Sequence, residues 1–268
     1  AAHAVYYAEI VRDKATYRSL IDASTDILKD AYDESHAARE ALSHAEQRIF
    51  SILDNRGVSN VNEISSILHE AMDRLDARMR GEHAQGGVET GFADLDKLTG
   101  GLHGGELVVL AARPSMGKTA LALNIAENVA LMQKAPTLFV SLEMSSIELA
   151  DRLLCSFANV NGHRLRSGTL SQADRMRLVE KAAELSKAPL YVDDSASRTV
   201  TEIAAAARRI ARRQKRLALI VIDYLQLIEP DDSTDPRQEQ VAKMTRRLKG
   251  LAREMKVPVL CLAQLNRQ

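Results

Sequence analysis

Tryptophan is absent from the sequence and phenylalanine occurs only four times, so no aromatic platform for stacking on nucleobases is evident. Cysteine is almost as scarce. Cys155 and Cys261 lie far apart, with neither a C-x-x-C nor a Cys/His ligand spacing around them, which argues against a disulfide framework and against a zinc site. A reducing, cytoplasmic compartment is therefore the expectation. No apolar run approaches the roughly 20 residues of a membrane-spanning helix, and the first residues show no short basic region followed by an apolar one. Neither anchoring in a membrane nor export is expected from these segments. An excess of one charge is also missing: 36 Lys plus Arg balance 36 Asp plus Glu, so no global field draws the chain towards a polyanion. Binding to nucleic acid would have to be local, or supplied by assembly. Internal repeats with a period of about 20 to 50 residues and low-complexity tracts are absent too.

What is present is 46% hydrophobic residues against 27% charged over 268 positions, enough for one sizeable core plus a smaller unit. Between Val5 and Ala31 the residues Val5, Tyr6, Ile10, Tyr17, Leu20, Ile21, Ile27 and Leu28 recur at helical spacing, and His36 to Leu53 repeats the pattern. Asn60 followed by Glu63 has the form of a capping box, after which Ile64, Ile67, Leu68, Leu75 and Met79 mark one stripe of a third amphipathic helix. That stripe must bury against something. Gly81 to Gly87 is polar and holds three glycines, the chemistry of a linker, and predicts a domain boundary.

Beyond the linker the pattern changes to short apolar runs alternating with helical stretches. Leu107–Ala111, Thr137–Ser141, Leu190–Val192, Leu217–Ile222 and Val257–Leu262 predict five strands joined by crossover helices, hence a parallel α/β sheet. The acidic, proline-containing stretch Glu229 to Pro236 reads as the one long loop, and a mobile one.

Ala112-Arg113-Pro114-Ser115-Met116-Gly117-Lys118-Thr119 follows the first of these strands and opens a helix, the context that a phosphate-binding loop requires. Its N–H groups would converge on phosphates, Lys118 would bridge the β and γ phosphates, and the Thr119 hydroxyl would ligate magnesium. Gly117 would let the backbone approach closely. The motif's first glycine is here Ala112, tolerable where φ stays negative. The bland alternative is a chance Gly-Lys-Thr at a helix start.

Open α/β sheets bind ligands outside the carboxyl ends of their strands, and Glu143, Asp223 and Gln264 all fall there. Asp223 suits a Walker B carboxylate that holds magnesium through water, or else an ordinary strand-end turn. Glu143 would orient or deprotonate an attacking water; otherwise it is a helix N-terminal Glu acting on the macrodipole of a helix that begins near Ser145. Gln264 would hydrogen-bond the γ-phosphate and so report its loss, or is a loop-start amide.

Thr90-Gly91-Phe92-Ala93-Asp94-Leu95-Asp96, the Ala111 to Thr119 loop, Ser141-Leu142-Glu143-Met144, Ile222-Asp223-Tyr224-Leu225-Gln226-Leu227 and Gln264-Leu265-Asn266-Arg267 together resemble, in order, the motifs of the DnaB family of bacterial replicative DNA helicases, RecA-like hexameric motors. The resemblance covers nearly the whole chain. It implies a RecA-like P-loop NTPase core with a parallel sheet at residues 91–268, preceded by the end of a helical N-terminal domain at 1–58 and by a linker helix and flexible linker at 59–90. It accounts for Ala112, which is common in that family's loop. By the family's pattern Glu143 is the catalytic glutamate, with Lys118 and the γ-phosphate sensor Gln264 also catalytic. Arg113, Pro114, Ser115, Met116, Gly117, Lys118, Thr119, Ala120 and Arg152 would bind nucleotide, and Thr119 and Asp223 the metal.

The resemblance further implies ATP and Mg2+ as cofactors, single-stranded DNA as ligand, a hexamer, and primase and a helicase loader as partners. It implies as well that the chain starts late in the family's N-terminal domain and stops at Gln268, before the arginine finger and most single-strand contacts. Two other readings share the core. One is a recombinase-type RecA-like ATPase, which needs no N-terminal helices; the other is a nucleotide-set scaffold that recruits primase or a loader. The cluster Arg208, Arg209, Arg212, Arg213, Lys215 and Arg216 is expected to be a solvated helix end rather than a DNA contact. Arg246, Arg247 and Lys249 have the same reading, with a subunit contact as the competitor.

Overall fold

The structure is a computed structural model that describes residues 2–33, 38–55, 64–79, 87–230 and 236–265. The Asn60 to Glu63 box and residues 81–86 of the expected linker lie outside the described residues. The chain divides into two compact units, Ala1–Met79 and Arg80–Gln268.

The first unit is helical, as its periodicity predicts: α1 (Ala2–Asp33), α2 (Ala38–Asn55) and α3 (Ile64–Met79). α1 and α2 pack together, with Arg48 Nη1 2.7 Å from Asp30 Oδ2. Among the described residues many of its large apolar side chains are exposed, including Val11, Tyr17, Ile21 and Leu28 on α1 and Leu68 and Met72 on α3.

The second unit is a three-layer α/β sandwich. In chain order it runs α4 (Ala93–Thr99), β1 (Leu107–Ala112), α5 (Lys118–Glu127), β2 (Thr137–Ser141), α6 (Ser146–Phe157), α7 (Gly162–Arg166), α8 (Gln172–Leu185), β3 (Leu190–Asp193), α9 (Val200–Gln214), β4 (Leu219–Asp223), α10 (Arg237–Met255) and β5 (Val259–Gln264). The five strands are parallel in the order β1-β5-β4-β2-β3.

Alternation within the strands assigns the two faces. Leu138, Val140, Ile220, Ile222, Val259 and Cys261 bury against α9 and α10, while Phe139, Leu219, Val221, Leu260 and Leu262 bury against α5 and α6. With helices on both sides, the central strand β4 has no face left for water and reads as the unbroken apolar run Leu219-Ile220-Val221-Ile222.

β2 spans its expected residues, and the other strands differ from the sequence expectation by one or two residues at one or both ends. β5 begins at Val259, because Pro258 has no N–H to give a ladder and contributes only its carbonyl, to Ile220 N–H at 3.1 Å. β4 runs on through Asp223, whose carbonyl accepts the Leu142 N–H at 2.7 Å, and β5 through Gln264, which pairs with Ala112. Of the expected loop Glu229–Pro236, residues 231–235 lie outside the described residues. Glu229 N–H donates to the Arg198 carbonyl at 2.9 Å and Pro236 caps α10.

The core starts slightly earlier than residue 91. Val88 and Leu102 exchange backbone hydrogen bonds at 2.7 and 2.8 Å, and Gly87, assigned to the linker by composition, lies so close to Gly101 that an added Cβ would sit 2.6 Å from its carbonyl carbon. Thr90 is fully buried, and the Asp96 carboxylate accepts its N–H and its hydroxyl, both at 2.8 Å, and the Gly91 N–H at 3.1 Å. The Glu89 carbonyl accepts from Asn128 Nδ2 at 3.0 Å and Gln133 Nε2 at 2.7 Å, in and beside the π turn Asn128–Met132 that follows α5.

Asp96→Ala leaves the buried Thr90 donors unpaired, at about 1–3 kcal/mol. The expected outcome is a loss of that size in denaturant unfolding of this unit.

Candidate active site

The phosphate-loop motif lies where its neighbours predict, between the end of β1 and the first turn of α5. Ala112 is the last residue of β1, within the ladder and not among the left-handed residues, so alanine is accommodated there. Arg113 to Gly117 form an exposed turn in which Ser115 has φ 62° and Gly117 φ 85°. Left-handed residues within a turn are the geometry in which successive N–H groups face one concavity, a ready anion site. A Cβ on Gly117 would meet no protein atom within 4 Å, so its glycine answers to φ and to whatever enters the loop, not to packing. Thr119 and the exposed Ala120 stand in the first turn of α5, at the positive end of its dipole.

Because all strands are parallel, their carboxyl ends share one edge, and the register brings the candidate residues together. Asp223 pairs with Ser141, two residues before Glu143, and Gln264 with Ala112. Lys118 and Thr119, arriving from β1, reach past the end of β5 to β4. The Thr119 hydroxyl donates to Asp223 Oδ2 at 2.6 Å and Lys118 Nζ lies 3.5 Å from Oδ1. The ammonium also sits 4.4 Å from the centre of the Tyr224 ring, a cation–π contact. The Asp223–Tyr224 peptide is cis.

Asp223 has no solvent exposure and its Oδ1 accepts no hydrogen bond; at 3.5 Å the lysine is an ion-pair partner too distant for a strong bond. Such a carboxylate retains binding capacity in a place that costs several kcal/mol of desolvation. Among the described residues no group of three or more His, Cys, Asp or Glu could hold a metal. A hydroxyl and one carboxylate, all-oxygen and few, fit magnesium, which keeps most of its waters and takes phosphate oxygens.

Gln264 ends β5 beside this cluster, and its backbone is gripped by a side chain that sequence reading gave no role. Gln226, in the short 3-10 turn Leu225–Leu227, donates Nε2–H to the Gln264 carbonyl at 2.9 Å, and its Oε1 accepts the Gln264 N–H at 3.3 Å. The Gln226 carbonyl is in turn held by Arg237. Glu143 is exposed between β2 and α6. The capping box of α6 is made by Ser145 and Glu148, so Glu143 stands two residues outside the helix cap, at the edge where Asp223 ends. Arg152 is exposed two turns into α6, lining a cavity of ≈ 100 Å³ with Glu148, Asp151 and Arg166. Among the described residues no hydrogen bond or ion pair joins it to the Lys118–Thr119–Asp223 group.

Sequence comparison matches residues 87–268 to the family described as DnaB-like helicase C terminal domain. The chain belongs to the DnaB-like helicase family. It is 39% identical over 267 residues to the replicative DNA helicase DnaB of Leifsonia xyli, covering 100% of this chain and 58% of that one. It is likewise 39% identical over 268 residues to the replicative DNA helicase DnaC of Bacillus subtilis, covering 100% and 59%. The chain thus spans somewhat under two thirds of the curated relatives it matches. Among solved structures it is similar to one described as an ATPase domain, with TM-score 0.72 at 32% identity over 78% of this chain and 73% of that chain. It is also similar to a DnaB-like replicative helicase described with its interactions with primase, with TM-score 0.75 at 29% identity over 97% and 59%.

The fold expectation of a RecA-like α/β core with a parallel sheet holds, and the family sets aside the recombinase-type alternative. Among the described residues no helix is long and apolar enough to cross a membrane. The basic end of α9 is in part an intramolecular contact of this DnaB-like core, since Arg208 makes a two-point pair with Glu254 of α10 at 2.9 and 2.8 Å.

Lys118→Ala removes the one ammonium of the cluster. Nucleotide turnover by the intact protein is expected to fall by about 100-fold or more, read as ATPase rate; an unchanged rate would move the phosphate site elsewhere. Cys261, under the same edge, is buried and its thiol is pushed up to about 12, by burial first, with Asp223 adding to the effect and Lys118 opposing it. Burial and Asp151 also raise Cys155, against Arg166. Neither thiol is expected to react with a disulfide reagent at about pH 8 until the protein is unfolded, which a thiol count with and without denaturant measures.

Proposed function

We propose that this chain carries the motor of a ring-forming, ATP-dependent replicative DNA helicase, which moves along single-stranded DNA and separates the duplex at a replication fork. The observation that carries the reading is the shared Asp223 carboxylate, 2.6 Å from the Thr119 hydroxyl and 3.5 Å from Lys118 at the mouth of the phosphate loop. Family membership supports the DNA substrate.

In this reading ATP lies with its phosphates over Arg113 to Ala120, held by loop N–H groups and by Lys118, which leaves Asp223 for the phosphate oxygens. Magnesium, when bound, neutralises phosphate charge, and Thr119 and Asp223 are the residues that hold it. Glu143 takes a proton from the attacking water, and Gln264 donates to the γ-phosphate. Hydrolysis followed by departure of the inorganic phosphate removes that acceptor. The Gln226 grip on the Gln264 backbone conveys the change to the turn after β4 and, through Arg237, to α10. Arg152 is a further nucleotide contact, and an arginine from a neighbouring subunit completes the site.

A hexamer supplies that second side. The exposed Leu68 and Met72 on α3 pack on an adjacent subunit, α3 being the linker helix between a helical N-terminal domain at 1–58 and the ATPase domain. Contacts to the strand are made to backbone phosphates, in keeping with the poverty of aromatic residues. Primase, named with one structural relative, and a loader are the partners, in the cytoplasm.

Glu143→Gln is expected to retain nucleotide binding while hydrolysis drops by about 100-fold or more. A binding titration beside a turnover assay reads both, and normal turnover would end the base assignment.

A further inference from the structure

β3 forms one edge of the sheet, and the turn that follows it touches the Glu143 segment. β3 ends at Asp193, where the chain turns towards α9. Arg198 Nη2 donates to both oxygens of Asp193, at 3.2 and 2.9 Å, and to the Ser195 hydroxyl at 3.0 Å, while Ser195 N–H donates to Asp193 Oδ1 at 3.1 Å. With its neighbour clamped in this way, Asp194 meets α6: its Oδ2 accepts the Ser146 N–H at 2.7 Å.

Ser146 is the first helical residue of α6. The capping box satisfies the Glu148 N–H through the Ser145 hydroxyl at 3.3 Å and the Ser145 N–H through the Glu148 carboxylate at 3.1 Å. Asp194 satisfies a further N–H, from a different segment of the chain. At the other end of the connection, the hydroxyl of the buried Ser141 donates to the Met144 carbonyl at 2.7 Å and accepts the Met144 N–H at 3.1 Å. The span that carries Glu143 is therefore closed on its β2 side by Ser141 and moored on its α6 side by Asp194. Glu143 itself is exposed, and among the described residues its side chain has no hydrogen bond that could orient it.

We infer that Asp194 is a positioning residue for Glu143, mooring the first turn of α6 to the β3–α9 turn and so fixing where the Glu143 carboxylate stands. The inference rests on the reading of Glu143 as the base. Asp194 is suited to the part because the Ser146 N–H and hydroxyl hold its carboxyl below the usual range, leaving an ionised acceptor at neutral pH. A base must lie within hydrogen-bond reach of its proton, and small displacements of a positioned group cost rate steeply.

The test is steady-state ATP turnover by the intact protein, with affinity for a nonhydrolysable ATP analogue and melting temperature measured alongside. Asp194→Ala is expected to lower kcat about tenfold with analogue affinity within about twofold. Asp194→Asn, which keeps the acceptor, restores most of the rate. Ser146→Pro removes the donor at the first helical position, where proline is well accepted and where the preceding Ser145 already has the extended conformation, φ −68° and ψ 154°. It should reproduce the Asp194→Ala loss even where Asp194→Ala itself is poorly folded. In a Glu143→Gln background neither change lowers the residual rate further.

Normal kcat in a folded Asp194→Ala or Ser146→Pro protein overturns the inference, as does an undiminished loss on top of Glu143→Gln. Wild-type turnover by Glu143→Gln overturns the base assignment and the inference with it. An inactive Glu143→Gln beside a fully active Asp194→Ala overturns the inference alone.

Discussion

The Asp223 carboxylate, buried at the end of β4 and shared between a hydroxyl and an ammonium that arrive from β1, is the interaction around which the carboxyl edge of the sheet is arranged. Neighbouring strands lie about 4.8 Å apart, so β1 and β4, separated by β5, are about 10 Å apart at their ends. Thr119 and Lys118 span that gap over Gln264, and in doing so gather the phosphate loop, the carboxylate and the end of β5 into one place. The parallel sheet makes this possible by sending every strand's carboxyl end to the same edge. The apolar faces of β4, buried against α5 and α6 on one side and α9 and α10 on the other, hold the carboxylate where water cannot screen it.

Much of this was legible because it is local. The run Leu219 to Ile222 announces a strand covered on both faces, and a carboxylate at its end is conspicuous for that reason. The phosphate loop is likewise contiguous: strand, turn, Lys118, helix. Glu143 was marked by its place after the apolar strand Thr137–Ser141. Strand limits were less exact, since Pro258 sits inside an apolar run and only its missing N–H separates it from β5.

What sequence reading did not find depends on distant partners. Gln226 meets the Gln264 backbone across 38 positions and Asp194 meets Ser146 across 48. An amide or a carboxylate in a turn looks the same whether it faces water or another loop. Tyr224 follows Asp223 directly, yet its ring under Lys118 becomes visible only when β1 and β4 have been brought together. Gly87 had the composition of a linker because glycine serves equally where a chain is loose and where two backbones touch. Arg152 was suggested by family resemblance alone, and in this chain it stands exposed on α6.

The grip of Asn128 and Gln133 on the Glu89 carbonyl has a mechanical corollary. Those two side chains sit at the far end of α5, whose near end is the phosphate loop, so the chain leading into the core is tethered to the distal tip of a rod about 15 Å long. A tug on the chain ahead of residue 87 meets the Val88–Leu102 backbone pair first, and then that rod and the Asp96 knot beside it. The helix whose first turn carries the phosphate-loop motif is thus also one of the struts that tie the incoming chain to the domain.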